Sequence, residues 1–220
     1  PNEGSTMFGA WDDATQFFGV LMSTTRAGTV SNRTGTETSI TDNWDVLVLH
    51  VISDPIPAQT VSGTLDWLIG VQESNAAMNA HWHIYAYVED GVGAERGVLY
   101  ADYTEALGTN EWPTTLTALG PTGPITLTPI AAQNNDRIVI EVGFVSRNTD
   151  ATSFTGTIAR GGVSGIELIS GGDPTLYTGW FQFSQDLFPP VRSRHRPHRS
   201  ATNDTADTLS FLGEEYTEWT

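Results

Sequence analysis

Apolar and polar residues alternate most cleanly over Asp136-Arg-Ile-Val-Ile-Glu-Val-Gly-Phe144. Ile138, Ile140, Val142 and Phe144 fall on one face, and Arg137, Val139, Glu141 and Gly143 on the other. A period of two with β-branched residues predicts a half-buried strand at the centre of a sheet. Trp44–Ile52 is nearly continuous in apolar residues and predicts a strand covered on both faces. Asp54-Pro-Ile-Pro57 ends it, because proline cannot donate to a ladder. Residues 61–71 put Leu65, Trp67, Ile69 and Val71 on one face, and His81–Glu89 puts Trp82, Ile84, Ala86 and Val88 inward. A turn opening at Asp90-Gly91 and a returning strand at 96–102 complete a hairpin. Shorter runs predict strands at 124–130, 152–159 and 178–184; 17–22 reads as a strand or a short buried segment, 103–123 as a long connection with room for a short strand at 114–119, and 72–80 as a loop with room for one helical turn.

Eight or nine strands result, with no long helix and with irregular, long crossovers. That pattern predicts an all-β chain, a jelly-roll or Greek-key β-sandwich with an extended N-terminal region and a C-terminal tail. The expected divisions are a loop-rich segment or arm at 1–43, the sandwich at 44–188 and the tail at 189–220. Within the first, 23–43 is rich in Thr, Ser and Gly and reads as a surface excursion.

Composition narrows the function. The 220 residues hold 39% hydrophobic positions, enough for one core, and no cysteine, which removes disulfides, thiolate chemistry and Cys-ligated zinc. No apolar run reaches the length of a membrane-spanning helix, and residues 1–6 lack the layout of a signal peptide. The net charge is −16, with no lysine at all. Residues 1–190 carry 21 acids and 6 arginines, 191–200 carry 4 arginines, and 201–220 carry 5 acids. Such a body repels phosphate, so neither nucleic acid nor an anionic membrane is an expected partner. The charge-segmented tail suits docking on a neighbouring copy, through Arg192, Arg194, Arg196 and Arg199 against an acidic body and through Phe211, Tyr216 and Trp219 as apolar anchors.

Candidate chemistry is sparse. His81 and His83 share a strand face, as a cupin-type metal site on a jelly roll requires. Glu89 lies six residues beyond His83, too far for that pattern, and no third histidine follows; His50 reads as a satisfied histidine. Glu73, Asp136 and Glu141 could form a carboxylate set for glycoside hydrolysis only at a defined separation. Neither a nucleophile elbow, a phosphate-cradling loop nor an EF-hand spacing is present. The expectation is a chain with no catalytic residues, no metal and no cofactor. Trp112 and Trp11, both in loops, are the candidates for stacking on a glycan, whereas Trp67, Trp82 and Trp180 read as core.

Several stretches resemble a recurrent family of β-sandwich proteins of tailed bacteriophages and prophages. They are Thr60-Val-Ser-Gly-Thr-Leu65, Gln72-Glu-Ser-Asn-Ala-Ala77, Arg96-Gly-Val-Leu99, Asp136-Arg-Ile-Val-Ile-Glu-Val-Gly143, and Thr155-Gly-Thr157 followed by Gly179-Trp180. The resemblance covers residues 60–184; the first 59 residues and the basic–acidic tail fall outside it. It implies a minor tail or other virion component, assembled in the host cytoplasm, with other copies of itself, other virion proteins and surface glycans as partners, and it carries over no enzymatic residue. A capsid decoration protein and a carbohydrate-binding adhesin domain are the alternatives, and a cupin-like metalloenzyme ranks last.

Overall fold

The structure, a computed structural model, describes residues 11–23, 31–38, 43–102, 111–148, 150, 152–162, 166–188 and the strand 207–211. Among these, fourteen strands run in chain order: β1 (Phe18–Ser23), β2 (Ser31–Thr36), β3 (Trp44–Ile52), β4 (Gln59–Val61), β5 (Thr64–Glu73), β6 (His81–Glu89) and β7 (Glu95–Asp102), then β8 (Thr117–Leu119), β9 (Ile125–Thr126), β10 (Ile130–Ala132), β11 (Arg137–Ser146), β12 (Thr155–Arg160), β13 (Trp180–Phe183) and β14 (Asp207–Phe211). The one helical turn expected in 72–80 is a 3-10 turn at Ala76–Met78, capped by the Asn75 side chain. The chain is all-β.

The main sheet follows the order β2-β12-β5-β13-β14-β1-β3-β11-β6-β7, with β8 and β9 lying along β5; β4 and β10 form a separate ribbon. Every pairing in it is antiparallel except β1 with β3. Its two halves face each other as a sandwich. Trp67 of β5 meets Trp82 of β6 edge to face at 6.4 Å, and Tyr100 of β7 at the same distance. Gly156 of β12 is needed where Phe144 of β11 rises between the halves, since a Cβ there would lie 2.5 Å from its ring, and Gly35 of β2 is needed beside Val46 of β3, which a Cβ would approach to 2.6 Å. The inward sets expected for β5, β6 and β11 all lie in this core.

Three features depart from the sequence pattern. β2 arises within the expected excursion 23–43, although its residues SNRTGT carry no apolar signal; pairing with β12 over six positions supplies what side chains do not. β14 arises within the expected tail and pairs with both β13 and β1, so this segment joins the two halves of the sheet. And β11 is covered on both faces, not one. On its outer face Val139 forms a second apolar cluster with Tyr85 and Tyr87 of β6, with Ile52, Val98 and Ala101 packed against it. On β3 a bulge opposite Val142/Gly143 puts both Val48 and Leu49 into the core. The extra residue carries Leu47 to the outer face beside Gly143 and re-aims the strand there.

Candidate functional site

The outer face of β3, β11 and β6 carries the densest set of buried polar side chains. In register across the three strands lie His50, Glu141 and Tyr85. Glu141 is fully buried and accepts hydrogen bonds from Trp11 Nε1 (2.7 Å) and from the Tyr87 hydroxyl (3.2 Å). Burial pushes its carboxyl above the usual range, and those two donors oppose the shift. His50 Nε2 stands 3.5 Å from the Tyr87 hydroxyl and 3.9 Å from Glu141 Oε1, with Phe17 edge-on to its ring. Burial holds this imidazole down, at about 4.

Trp11 completes the cluster from outside the sheet. Its indole stacks on His83 at 4.1 Å, and His83 Nδ1 meets Asp45 Oδ1 at 2.8 Å. The indole can lie against the sheet because position 143 is glycine: a Cβ there would sit 2.7 Å from Trp11 Cζ3. The backbone of the same segment is zipped to β3, since Asp12 and Asp13 amides donate to Asp45 O and the Leu47 amide donates to Asp13 O. Gln16 then bonds both the amide and the carbonyl of Thr36 in β2. An acid sealed at zero exposure is inaccessible to substrate, so this arrangement acts as a clasp fastening the segment from Trp11 onward across the sandwich.

The sequence-derived candidates are placed as follows. Trp11 and Trp112, expected in exposed loops, are buried at 6% and 1% exposure, so neither offers a ring face to a glycan. Trp112 packs edge-on against Trp82 (5.2 Å) and Phe144 (5.4 Å). A loop tryptophan is drawn into the core when a core aromatic pair leaves a slot beside it, which local polarity does not reveal. Trp180, expected in the core, is instead half-buried on the outer face of β13. Arg192, Arg194, Arg196, Arg199, Tyr216 and Trp219 lie outside the described residues; Phe211 ends β14, where the backbone pairs with Met22.

The three carboxylates do not converge. Glu141 and Asp136 stand five residues apart on one extended stretch, about 17 Å at 3.4 Å per residue, beyond the span of a glycosidase pair. Glu73 lies on β5, in the opposite half of the sandwich, with the Ala80 amide donating to it. Burial, with the nearby Glu111 adding to it, raises Glu73 to about 7. Asp136 serves a turn: Arg96 grips it in a bidentate pair and the Gln133 amide donates to it, tying β7 to the start of β11. Among the described residues no group of three or more His, Cys, Asp or Glu side chains is arranged to hold a metal ion.

A concave feature elsewhere on the surface was not legible in the sequence. Midway along β5, loop 120–124 between β8 and β9 forms one wall of a cleft, and residues 167–170, ahead of β13, form the other. Leu68 and Trp180, cross-strand neighbours, line its floor, and Asp66, Thr122, Glu167 and Ser170 line its sides. The only sequence signal was Leu68, an apolar residue out of phase with the inward set of β5.

No protein-family model matches the chain, and no curated protein is significantly similar to it.

The buried histidine and acids give a pH test. The folded value of His50, about 4, lies below the unfolded value of 6.5. The unfolded chain therefore binds the extra proton first, and stability from this group is lost as pH falls from about 6.5 towards 4, by about 3 kcal/mol in full. Glu73 and Glu141, both raised, act in the opposite sense, losing stability as pH rises through their folded values. Melting curves from pH 7.5 to 4 for the parent and His50→Gln are expected to converge at the acid end. A constant offset between them across that range would show that His50 is not held neutral.

Proposed function

We propose that this chain is a non-enzymatic structural component of a bacteriophage particle, a minor tail protein present in multiple copies that assembles through its sandwich and its C-terminal segment. The observation that carries this reading is the seat of β14. It lies between β13 and β1, and without it both would be sheet edges with unpaired backbone groups. Eighteen residues, 189–206, separate it from the body. Fully extended, that length spans about 60 Å, enough to reach the same slot on an adjacent copy. Strand donation of this kind joins subunits through backbone hydrogen bonds and tolerates almost any side chain. The acidic, lysine-free composition, the basic run preceding β14 and the ordered fragments resembling phage β-sandwich proteins support the same reading. A capsid decoration protein would use the same device, and the two differ only in position on the virion.

The absence of cysteine makes the test direct. Gln182 and Thr208 are register partners across β13 and β14. Directly opposed positions of an antiparallel pair lie within disulfide range. Chains carrying Gln182→Cys alone and Thr208→Cys alone, mixed under oxidising conditions, are expected to give a covalent species of twice 23.8 kDa. If the doubly substituted chain closes only within itself and the mixture stays uncrosslinked at every concentration, β14 belongs permanently to its own subunit and assembly by strand donation fails.

A further inference from the structure

The cleft over β5 makes a case of its own, independent of whether the chain assembles. Its volume is about 610 Å³, within the range of about 300–1,000 Å³ typical of small-ligand sites. Its walls are built in advance. Within 166–178 the Leu168 amide donates to Thr178 O (2.9 Å) and the Thr178 amide to Ile166 O (3.0 Å). The turn that follows is tied by Asp173, whose carboxylate accepts from the amide and hydroxyl of Thr175. Trp180 Nε1 donates to Leu168 O at 2.8 Å, which fixes the indole against this wall. On the opposite wall Gly120 approaches β5 so closely that a Cβ would lie 2.1 Å from Trp67 O. A site whose walls are held by their own hydrogen bonds loses little freedom when it binds.

The chemistry of the lining selects the ligand. Trp180 and Leu68 offer an aromatic and an aliphatic surface, while Asp66, Glu167, Thr122 and Ser170 supply carboxylates and hydroxyls beside them. Asp66 commits Oδ1 to the Trp67 amide at 2.8 Å, and its other oxygen makes no hydrogen bond among the described residues. Among the described residues no cation lines the cleft, so the Asp66 carboxylate in a chain of net charge −16 disfavours an anionic ligand. A purely apolar peptide would desolvate that second Asp66 oxygen without pairing it. A pyranose satisfies both halves at once, since its C–H face lies on the indole and a hydroxyl donates to the second Asp66 oxygen. We infer that the cleft framed by Trp180, Leu68, Asp66 and Glu167 is a binding site for a neutral oligosaccharide.

The full chain would be screened on an array of neutral and sialylated glycans, and the best neutral binder titrated while tryptophan fluorescence is followed. Saturable binding of one or more neutral glycans is expected, with sialylated counterparts weaker. Asp66→Asn keeps the acceptor for the Trp67 amide but removes the charge, and is expected to weaken binding about tenfold, as the loss of one charge-assisted hydrogen bond does. Thr122→Arg, at an exposed position, is expected to abolish binding by blocking the mouth. Unchanged melting temperatures in both variants would separate these losses from unfolding. No saturable binding to any neutral glycan, preference for sialylated ones, capture of apolar peptides alone, or glycan binding untouched by both substitutions would each overturn the assignment.

Discussion

Gly143→Ala is expected to destabilise the fold by about 3 kcal/mol or more, the upper end for overpacking. A Cβ at this position would sit 1.9 Å from Val46 O and 2.7 Å from Trp11 Cζ3. The first contact is with backbone, so no rotamer change relieves it; β11 must part from β3 at the bulge between Val142 and Gly143. The second lifts Trp11 off His83 and draws its indole N–H away from Glu141, leaving a buried acid short of a donor. Gly19→Ala is the control. Nothing lies within 4 Å of the added methyl, so a change within about 0.5 kcal/mol is expected. Urea unfolding of the two variants measures the difference, and equal midpoints would mean that the strands adjust around position 143 without strain.

Trp112→Ala carries the second large expected effect, about 3–5 kcal/mol, from the cavity left among buried aromatic rings. Trp112 wedges against Trp82 and Phe144 at 1% exposure, and its backbone amide donates to Ala80 O. Trp112→Phe is expected to cost much less. It preserves the edge contacts and removes an indole N–H that has no acceptor among the described residues. A Trp112→Ala variant that melts at the parental temperature yet loses glycan binding would reverse the picture and return this residue to a recognition role.

The core strands were legible because their alternation is a local consequence of the pleat. Leu65, Trp67, Ile69 and Val71, or Trp82 through Val88, can bury one face in only one register, so the inward set follows from spacing alone. β2 and β14 were not legible. Their residues carry little apolar signal, and each is a strand because a neighbouring backbone pairs with it. The tryptophans show the same limit. Trp67 and Trp82 sit within alternating runs and were assigned correctly, whereas the placing of Trp11, Trp112 and Trp180 depended on contacts 12 or more residues away in the chain, Trp11 bonding Glu141 at a separation of 130.

By itself the sequence determined an all-β chain without cysteine or lysine, strongly acidic, with a core of aromatic and β-branched residues in known phase. Those properties depend on composition and on a two-residue period, both of which are local. Only the tertiary structure decided that Glu141 is sealed beneath Trp11, that β14 joins the halves of the sheet, and that a cleft opens over β5 beside Trp180. Each of these requires segments far apart in the chain to meet, and neither the side-chain period nor the charge pattern encodes where a distant segment will land.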